Sequence, residues 1–269
     1  MSSATVERIF NMILDKIIEV KKDEVAHLKR ARPLQKLKHA VADLPSPRNF
    51  LEAIIGRECA IIAEIKRRSP SKGMLREDFD PVRIALTYEE NGASAISVLS
   101  DNVFFGGDEN QLANIKECVH LPLLRKDFIV DLYQIYETRY LQADAILLIA
   151  CILKKEELRE YCGLAQSLGL SVICEVHSEG ELDKALGSDA KIIGINNRDL
   201  TTFLVDLKTS TSLAASIPAD RIIVSESGIR SSSDIETLRN AGIHAFLIGE
   251  TLMTSDDMGR KLRELLFKK

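Results

Sequence analysis

No stretch of this 269-residue chain approaches the roughly 18–20 consecutive apolar residues of a membrane span. Its amino-terminal region carries Glu7, Asp15 and Glu19 among apolar residues, where a signal peptide would have an uninterrupted core. The expectation is a cytoplasmic protein with no membrane partner. There is no excess of positive charge either: 36 Lys and Arg stand against 40 Asp and Glu, a net −4, which argues against a nucleic-acid binder. With 45% apolar and 28% charged residues, no tract is polar enough to be disordered. None of the cysteines (Cys59, Cys118, Cys151, Cys162, Cys174) forms a Cys-x-x-Cys pair, and most lie in apolar runs, so they read as reduced core packers. The histidines His27, His39, His120, His177 and His244 lack metal-ligand spacing, which suggests neither a zinc site nor a His-based triad. No metal and no cofactor are expected.

What is present is a set of short apolar runs that end abruptly on reactive polar side chains. Ala60 to Lys66, Pro122 to Lys126, Val172 to Glu175, Ile192 to Asn196 and Ile222 to Glu226 all have this form. Continuous Val/Ile/Leu marks strands buried on both faces, the habit of parallel sheets. Eight candidate strands emerge, at 60–66, 95–100, 121–125, 145–150, 171–176, 191–196, 221–226 and 245–249. Small residues precede several of them, as in Asn91-Gly92-Ala93-Ser94, Gly187-Ser188-Asp189-Ala190 and Ala241-Gly242, where Gly supplies a left-handed helix cap. Asp80-Pro81 and Ser178-Glu179-Gly180-Glu181 are helix-start signals.

Eight strand–helix units favour a closed (β/α)8 TIM barrel of the α/β class over an open doubly wound sheet. A dinucleotide-binding sheet would want a Gly-x-Gly-x-x-Gly turn, which is absent. Residues 1–269 read as one barrel domain, with 1–50 an amino-terminal helical extension. Val6, Ile9, Phe10, Ile13, Leu14, Ile17 and Ile18 place an apolar stripe on its first helix, which Pro33 ends. The dense Lys and Arg between Lys16 and Lys38 read as a solvated helix face.

In a barrel the strand carboxyl ends share one mouth, so distant residues converge. Glu64 and Lys66, two apart, share an inward face, either as part of a site or as a buried ion pair. Lys126 stands at the third strand's end, with a solvated partner of Asp127 as the bland reading, and Glu175 ends an otherwise apolar strand. A buried glutamate facing lysines can be tuned to exchange protons. Ser225-Glu226-Ser227-Gly228 and Gly249-Glu250-Thr251 suit a phosphate at the ends of the last two strands. Ser69-Pro70-Ser71-Lys72-Gly73, bracketed by Arg67, Arg68 and Arg76, reads as a mobile lid over an anionic substrate, and Phe104-Phe105 suits an aromatic portion of it.

Together, Glu64-Ile65-Lys66-Arg67-Arg68-Ser69-Pro70-Ser71, Leu124-Arg125-Lys126-Asp127-Phe128, Gly194-Ile195-Asn196-Asn197-Arg198-Asp199-Leu200, Glu226-Ser227-Gly228 and Leu247-Ile248-Gly249-Glu250-Thr251 resemble indole-3-glycerol-phosphate synthase. The resemblance implies ring closure, decarboxylation and dehydration of 1-(2-carboxyphenylamino)-1-deoxyribulose 5-phosphate in tryptophan biosynthesis. It implies Lys126 as the acid, Glu175 as the base, and Lys66 as a substrate contact, with the acid steps left open between the lysines. Glu64 would position Lys66, and Asn196 with Arg198 would handle the anthranilate end. Phe105, Phe128, Leu147 and Leu200 would line the aryl site, Ser69 would contact substrate, and Glu226, Ser227, Gly228, Gly249 and Glu250 would bind phosphate. Relatives often carry Ser in place of Glu250, so only its backbone N–H is expected to serve. A Schiff-base aldolase-type sugar-phosphate barrel is the alternative enzyme, and a binding scaffold docking through the basic first helix the non-catalytic one. Further expectations are a monomer or weak homodimer and no fused isomerase or amidotransferase domain.

Overall fold

Alternating side chains in a strand buried on both faces feed two cores at once. The structure, a computed structural model, describes residues 3–70, 72–199 and 202–267, with side chains from residue 13 onward in the first helix. Its parallel strands are β1 (Ala60–Ile65), β2 (Ala95–Leu99), β3 (Leu123–Lys126), β4 (Ala145–Ile149), β5 (Ser171–Val176), β6 (Ile192–Asn196), β7 (Ile222–Glu226) and β8 (Ala245–Ile248). They pair in chain order, and β8 closes on β1 with Ala60 opposite Ala245 and Ala63 opposite Ile248. This is the expected (β/α)8 TIM barrel.

One alternating set, including Ile62, Leu124, Leu147, Ile173, Val224 and Leu247, fills the barrel interior. The other, including Ile61, Ile96, Ile146, Cys174, Ile193 and Phe246, packs under the surrounding helices. Phe50 and Ile54, from the short helix Phe50–Ile54, join the interior set and plug the amino-terminal end of the barrel.

Several boundaries differ from expectation for local reasons. Pro122 has no N–H to donate, so the ladder of β3 starts at Leu123, and Lys126 is paired opposite Leu99 as its last residue. Lys66 lies just beyond β1, and the loop after it folds into a small antiparallel hairpin of Arg68–Ser69 with Gly73–Met74. Gly92 and Gly242 take the left-handed conformation, at φ 93° and 82°, but in the return before β6 that role falls to Asp189 rather than Gly187. Cys162 and Cys174 are buried, whereas Cys118 and Cys151 are exposed and do not pack the core.

The extension comprises α1 (Ser3–Ala31), α2 (Leu34–Ala42) and the plugging helix α3 (Phe50–Ile54). Val25 and Leu37 pack with Tyr133 of the barrel helix Tyr133–Tyr140. Between the buried Ile17 and Val25 stands Lys21, only 4% exposed, so one member of the basic stretch is not solvated. The four-residue spacing forces it onto the inward stripe. Its Nζ lies 2.9 Å from Asp101 Oδ2 and 3.0 Å from Asp127 Oδ1. Among the described residues, no helix is long and apolar enough to cross a membrane.

Candidate active site

The two-residue period that sends Ile62, Leu124, Ile173 and Val224 inward also sends Glu64, Lys126, Glu175 and Glu226 inward, one step closer to the mouth. All four line a cavity of about 1140 Å³, counting its open mouth, together with Lys66, Ser69, Asn196 and Arg198. Lys126 Nζ lies 3.0 Å from Glu175 Oε2 and 3.4 Å from Glu226 Oε2. Asn196 Nδ2 donates to Glu175 Oε1 at 3.2 Å, and Lys66 is ion-paired with Glu64. The bland partner for Lys126, Asp127, faces away: it binds Arg125, Ser100 and Lys21 on the outer side of the barrel.

Three buried carboxylates around one deep ammonium cannot all be equivalent. Burial opposes charge on Lys126, but Glu175, Glu226 and Glu64 overcome it and hold the ammonium well above the ordinary lysine range. Burial also opposes charge on Glu175, yet Lys126, His177 and the Asn196 hydrogen bond hold its carboxyl down at about 2. Glu226 goes the other way. Burial and the charges of Glu175 and Glu64 outweigh Lys126 and push it to about 8, so it carries a proton at neutral pH. One carboxylate and one carboxylic acid therefore flank a single ammonium.

Two glycines make room for this set. A methyl group on Gly194 in β6 would lie 2.3 Å from Glu226 Oε1 and 2.9 Å from Ile173 Cγ2. One on Gly249 would lie 2.0 Å from Glu64 Oε2. Glycine at these inward positions is thus dictated by neighbouring carboxylates rather than by backbone angles. The structure adds this packing role for Gly249 to the phosphate role that the turn pattern suggests.

On one side of the mouth Phe105 and Phe128 lie with ring centroids 6.1 Å apart, above the buried Leu147. On the opposite side, Ser227 and Gly228 are consecutive left-handed residues at φ 65° and 82°, and Gly249 caps the short helix Glu250–Met253. Arg198 reaches toward this second side: its Nη2 is 3.2 Å from Glu250 Oε2, and Lys72 Nζ is 3.8 Å from Glu250 Oε1. Ser69 is buried in the cavity wall. Leu200 lies outside the described residues, as does Ser71 of the expected lid.

Sequence reasoning passed over three supporting residues. Asn197 is buried, and its Nδ2 reaches Ser225 Oγ at 2.9 Å and the backbone oxygens of Glu226 and Ser227 at 3.0 Å, pinning the end of β7. Asp101 accepts from the backbone of Phe104 at 2.8 Å and Phe105 at 3.2 Å, setting the aryl-side loop. His177 places Nε2 3.4 Å from Glu175 Oε1 and Nδ1 3.0 Å from Glu181 Oε2. Only the doubled Asn196-Asn197 beside an arginine hinted at the first of these.

A family model for indole-3-glycerol phosphate synthase matches residues 14–265. The indole-3-glycerol phosphate synthase of Alkaliphilus metalliredigens is 49% identical over 255 residues, covering 94% of this chain and 98% of that protein. That of Acetivibrio thermocellus is 48% identical over 258 residues, with the same coverage. Among solved structures, thiamine phosphate pyrophosphorylase from Pyrococcus furiosus superposes with a TM-score of 0.57 at 17% identity, covering 78% of this chain and 94% of that one, a likeness of fold alone. On the full-length match to these synthases, the chain belongs to the indole-3-glycerol phosphate synthase family.

Proposed function

We propose that Lys126 is the acid and Glu175 the base of the family's ring-closing, decarboxylating reaction in this chain. The substrate, 1-(2-carboxyphenylamino)-1-deoxyribulose 5-phosphate, becomes indole-3-glycerol phosphate with loss of carbon dioxide and water. The aryl carbon bearing the carboxylate attacks the ribulose carbonyl, and the developing alkoxide takes the Lys126 proton. Loss of carbon dioxide restores aromaticity. Departure of the hydroxyl as water needs a second proton, and a base removes the remaining ring-side hydrogen.

The observation that carries this reading is the Lys126 ammonium held 3.0 Å from Glu175 and 3.4 Å from Glu226 inside one cavity. It also orders the steps. Glu175 is a weak base while Lys126 is charged; once Lys126 has given up its proton, the largest of the influences that hold Glu175 down is gone. The acid step thereby prepares the base for the later one. An ammonium locked between carboxylates is a poor nucleophile, which weighs against the Schiff-base aldolase reading.

Glu64 steadies Lys66 at the mouth, where its ammonium meets the substrate. The wall of Phe105, Phe128 and Leu147 takes the aryl ring, and Asn196 keeps Glu175 aimed. The turns at Ser227-Gly228 and Gly249-Glu250 take the phosphate through backbone N–H groups. Arg198, expected at the anthranilate end, serves the phosphate end in this reading: Glu250 parks Arg198 there until the dianion arrives. Fluorescence detection of the indole product from this substrate tests the activity. Lys126→Ala should lower kcat by about 10²- to 10⁴-fold and leave substrate affinity within about tenfold, whereas an unchanged kcat removes Lys126 from the mechanism.

A further inference from the structure

Behind Glu175, away from the substrate cavity, three ligand-bearing side chains converge from two neighbouring loops. Cys151 lies in the exposed turn after β4. His177 follows β5 directly, and Glu181 stands in the first turn of the next helix, Glu179–Leu186. One ligand atom from each lies within 4.8 Å of the others, and these three form the one such group among the described residues. Sequence spacing among histidines alone does not reveal it, because two of the three donors are not histidine.

We propose that Cys151 Sγ, His177 Nδ1 and the Glu181 carboxylate form a binding site for a borderline-soft divalent cation, with Zn²⁺ as the best match. The donor set of one sulfur, one imidazole nitrogen and one carboxylate oxygen suits zinc rather than magnesium or calcium. Tetrahedral ligands on zinc stand about 3.3–3.8 Å apart, so the group closes on the ion through side-chain adjustments of about 1 Å. The fourth position is left to water. The thiol and the Nδ1–H that faces Glu181 Oε2 at 3.0 Å both release their protons to solvent as the sulfur–metal and nitrogen–metal bonds form. Nearby Lys184 does not occupy the site: its ammonium donates to the backbone oxygens of Ala150 at 2.5 Å and Leu153 at 3.2 Å.

The position of His177 sets how its ring is held when the ion binds. A metal on Nδ1 leaves the ring proton on Nε2, which faces Glu175 Oε1 at 3.4 Å. That is the carboxylate–histidine–metal relay by which an outer carboxylate orients a ligating imidazole. Zn²⁺ with its thiolate and carboxylate ligands carries no net charge, so the ion holds the His177 ring in place beside Glu175 without adding charge there.

The test uses the full chain stripped with a chelator. Titration with ZnCl2 followed by calorimetry should show one equivalent bound, and CoCl2 should give a thiolate-to-cobalt charge-transfer band in the near ultraviolet. Cys151→Ser should abolish the cobalt band and weaken zinc at least tenfold while turnover without metal stays unchanged. Glu181→Gln should weaken zinc and retain the band. Absence of stoichiometric binding, or equal zinc affinity in Cys151→Ser, overturns the site.

Discussion

Glu226 illustrates how far one carboxyl can depart from its neighbours in the same cavity. In the fold it stays protonated up to about pH 8, while in the unfolded chain it ionises near the ordinary value of 4.5. Folding therefore retains a proton across that window, and its contribution to stability is complete below about 4.5 and is lost as pH rises through 8. Glu226→Gln mimics the neutral acid. It should flatten the decline of the denaturation midpoint between those limits and remove an alkaline limb near pH 8 from the kcat profile; a limb that persists in the variant assigns it to another group. Gly249 offers a steric counterpart. Gly249→Ala drives a methyl group into Glu64, and displacing the Glu64–Lys66 pair by about 1 Å should cost about 10²-fold in kcat/KM. Wild-type kinetics in that variant would show that the carboxylate yields without consequence.

Among the elements, α1 has the widest reach. Lys21 ties it to Asp101, which sets the Phe104–Phe105 turn, and to Asp127, the residue after Lys126. Asp127 is held below the ordinary aspartate range, burial being outweighed by Arg125, Lys21 and the Ser100 hydroxyl. Lys21→Met leaves two buried carboxylates without a cation between them and should cost about 3 kcal/mol or more. Its KM for the aryl substrate should rise as the Phe105 turn loosens. Adding Asp101→Asn, which keeps the accepting oxygen but drops the charge, should recover part of the stability in urea titrations; no recovery would mean that the charge is not the cause. The small hairpin after β1 is a second case of an element acting beyond its length, since Arg76, just past it, donates to the backbone oxygens of Met253 at 3.2 Å and Ser255 at 3.1 Å.

For the molecule as a whole, acid should unfold the barrel through its buried anions. Glu175 and Asp127 both contribute stability above the usual carboxylate range that is lost as pH falls, for Glu175 between about 4.5 and about 2. Lys126→Ala should remove the Glu175 share and shift the acid midpoint upward, which circular dichroism would read directly. The barrel and its mouth were legible in sequence because buried parallel strands read as continuous apolar runs, and their last inward residues interrupt them. Glu64, Lys126, Glu175 and Asn196 stood out on that ground. Glu226 also ends such a run, but the Ser227-Gly228 turn beside it draws it to the phosphate end, since adjacency along the chain hides the alternation that turns it inward. Lys21 looked solvated because a helix pattern shows which residues share a stripe, not what the stripe will face. The demands on Gly194 and Gly249 come from carboxylates on other strands and leave no mark beside them.

The mooring of α1 through Lys21 has a mechanical corollary. The first helix is fastened to the wall of the catalytic mouth, so a pulling force on the amino terminus would travel to the Phe105 turn and the Lys126 backbone before it reached the barrel floor. A handle attached there would act as a dimmer on turnover.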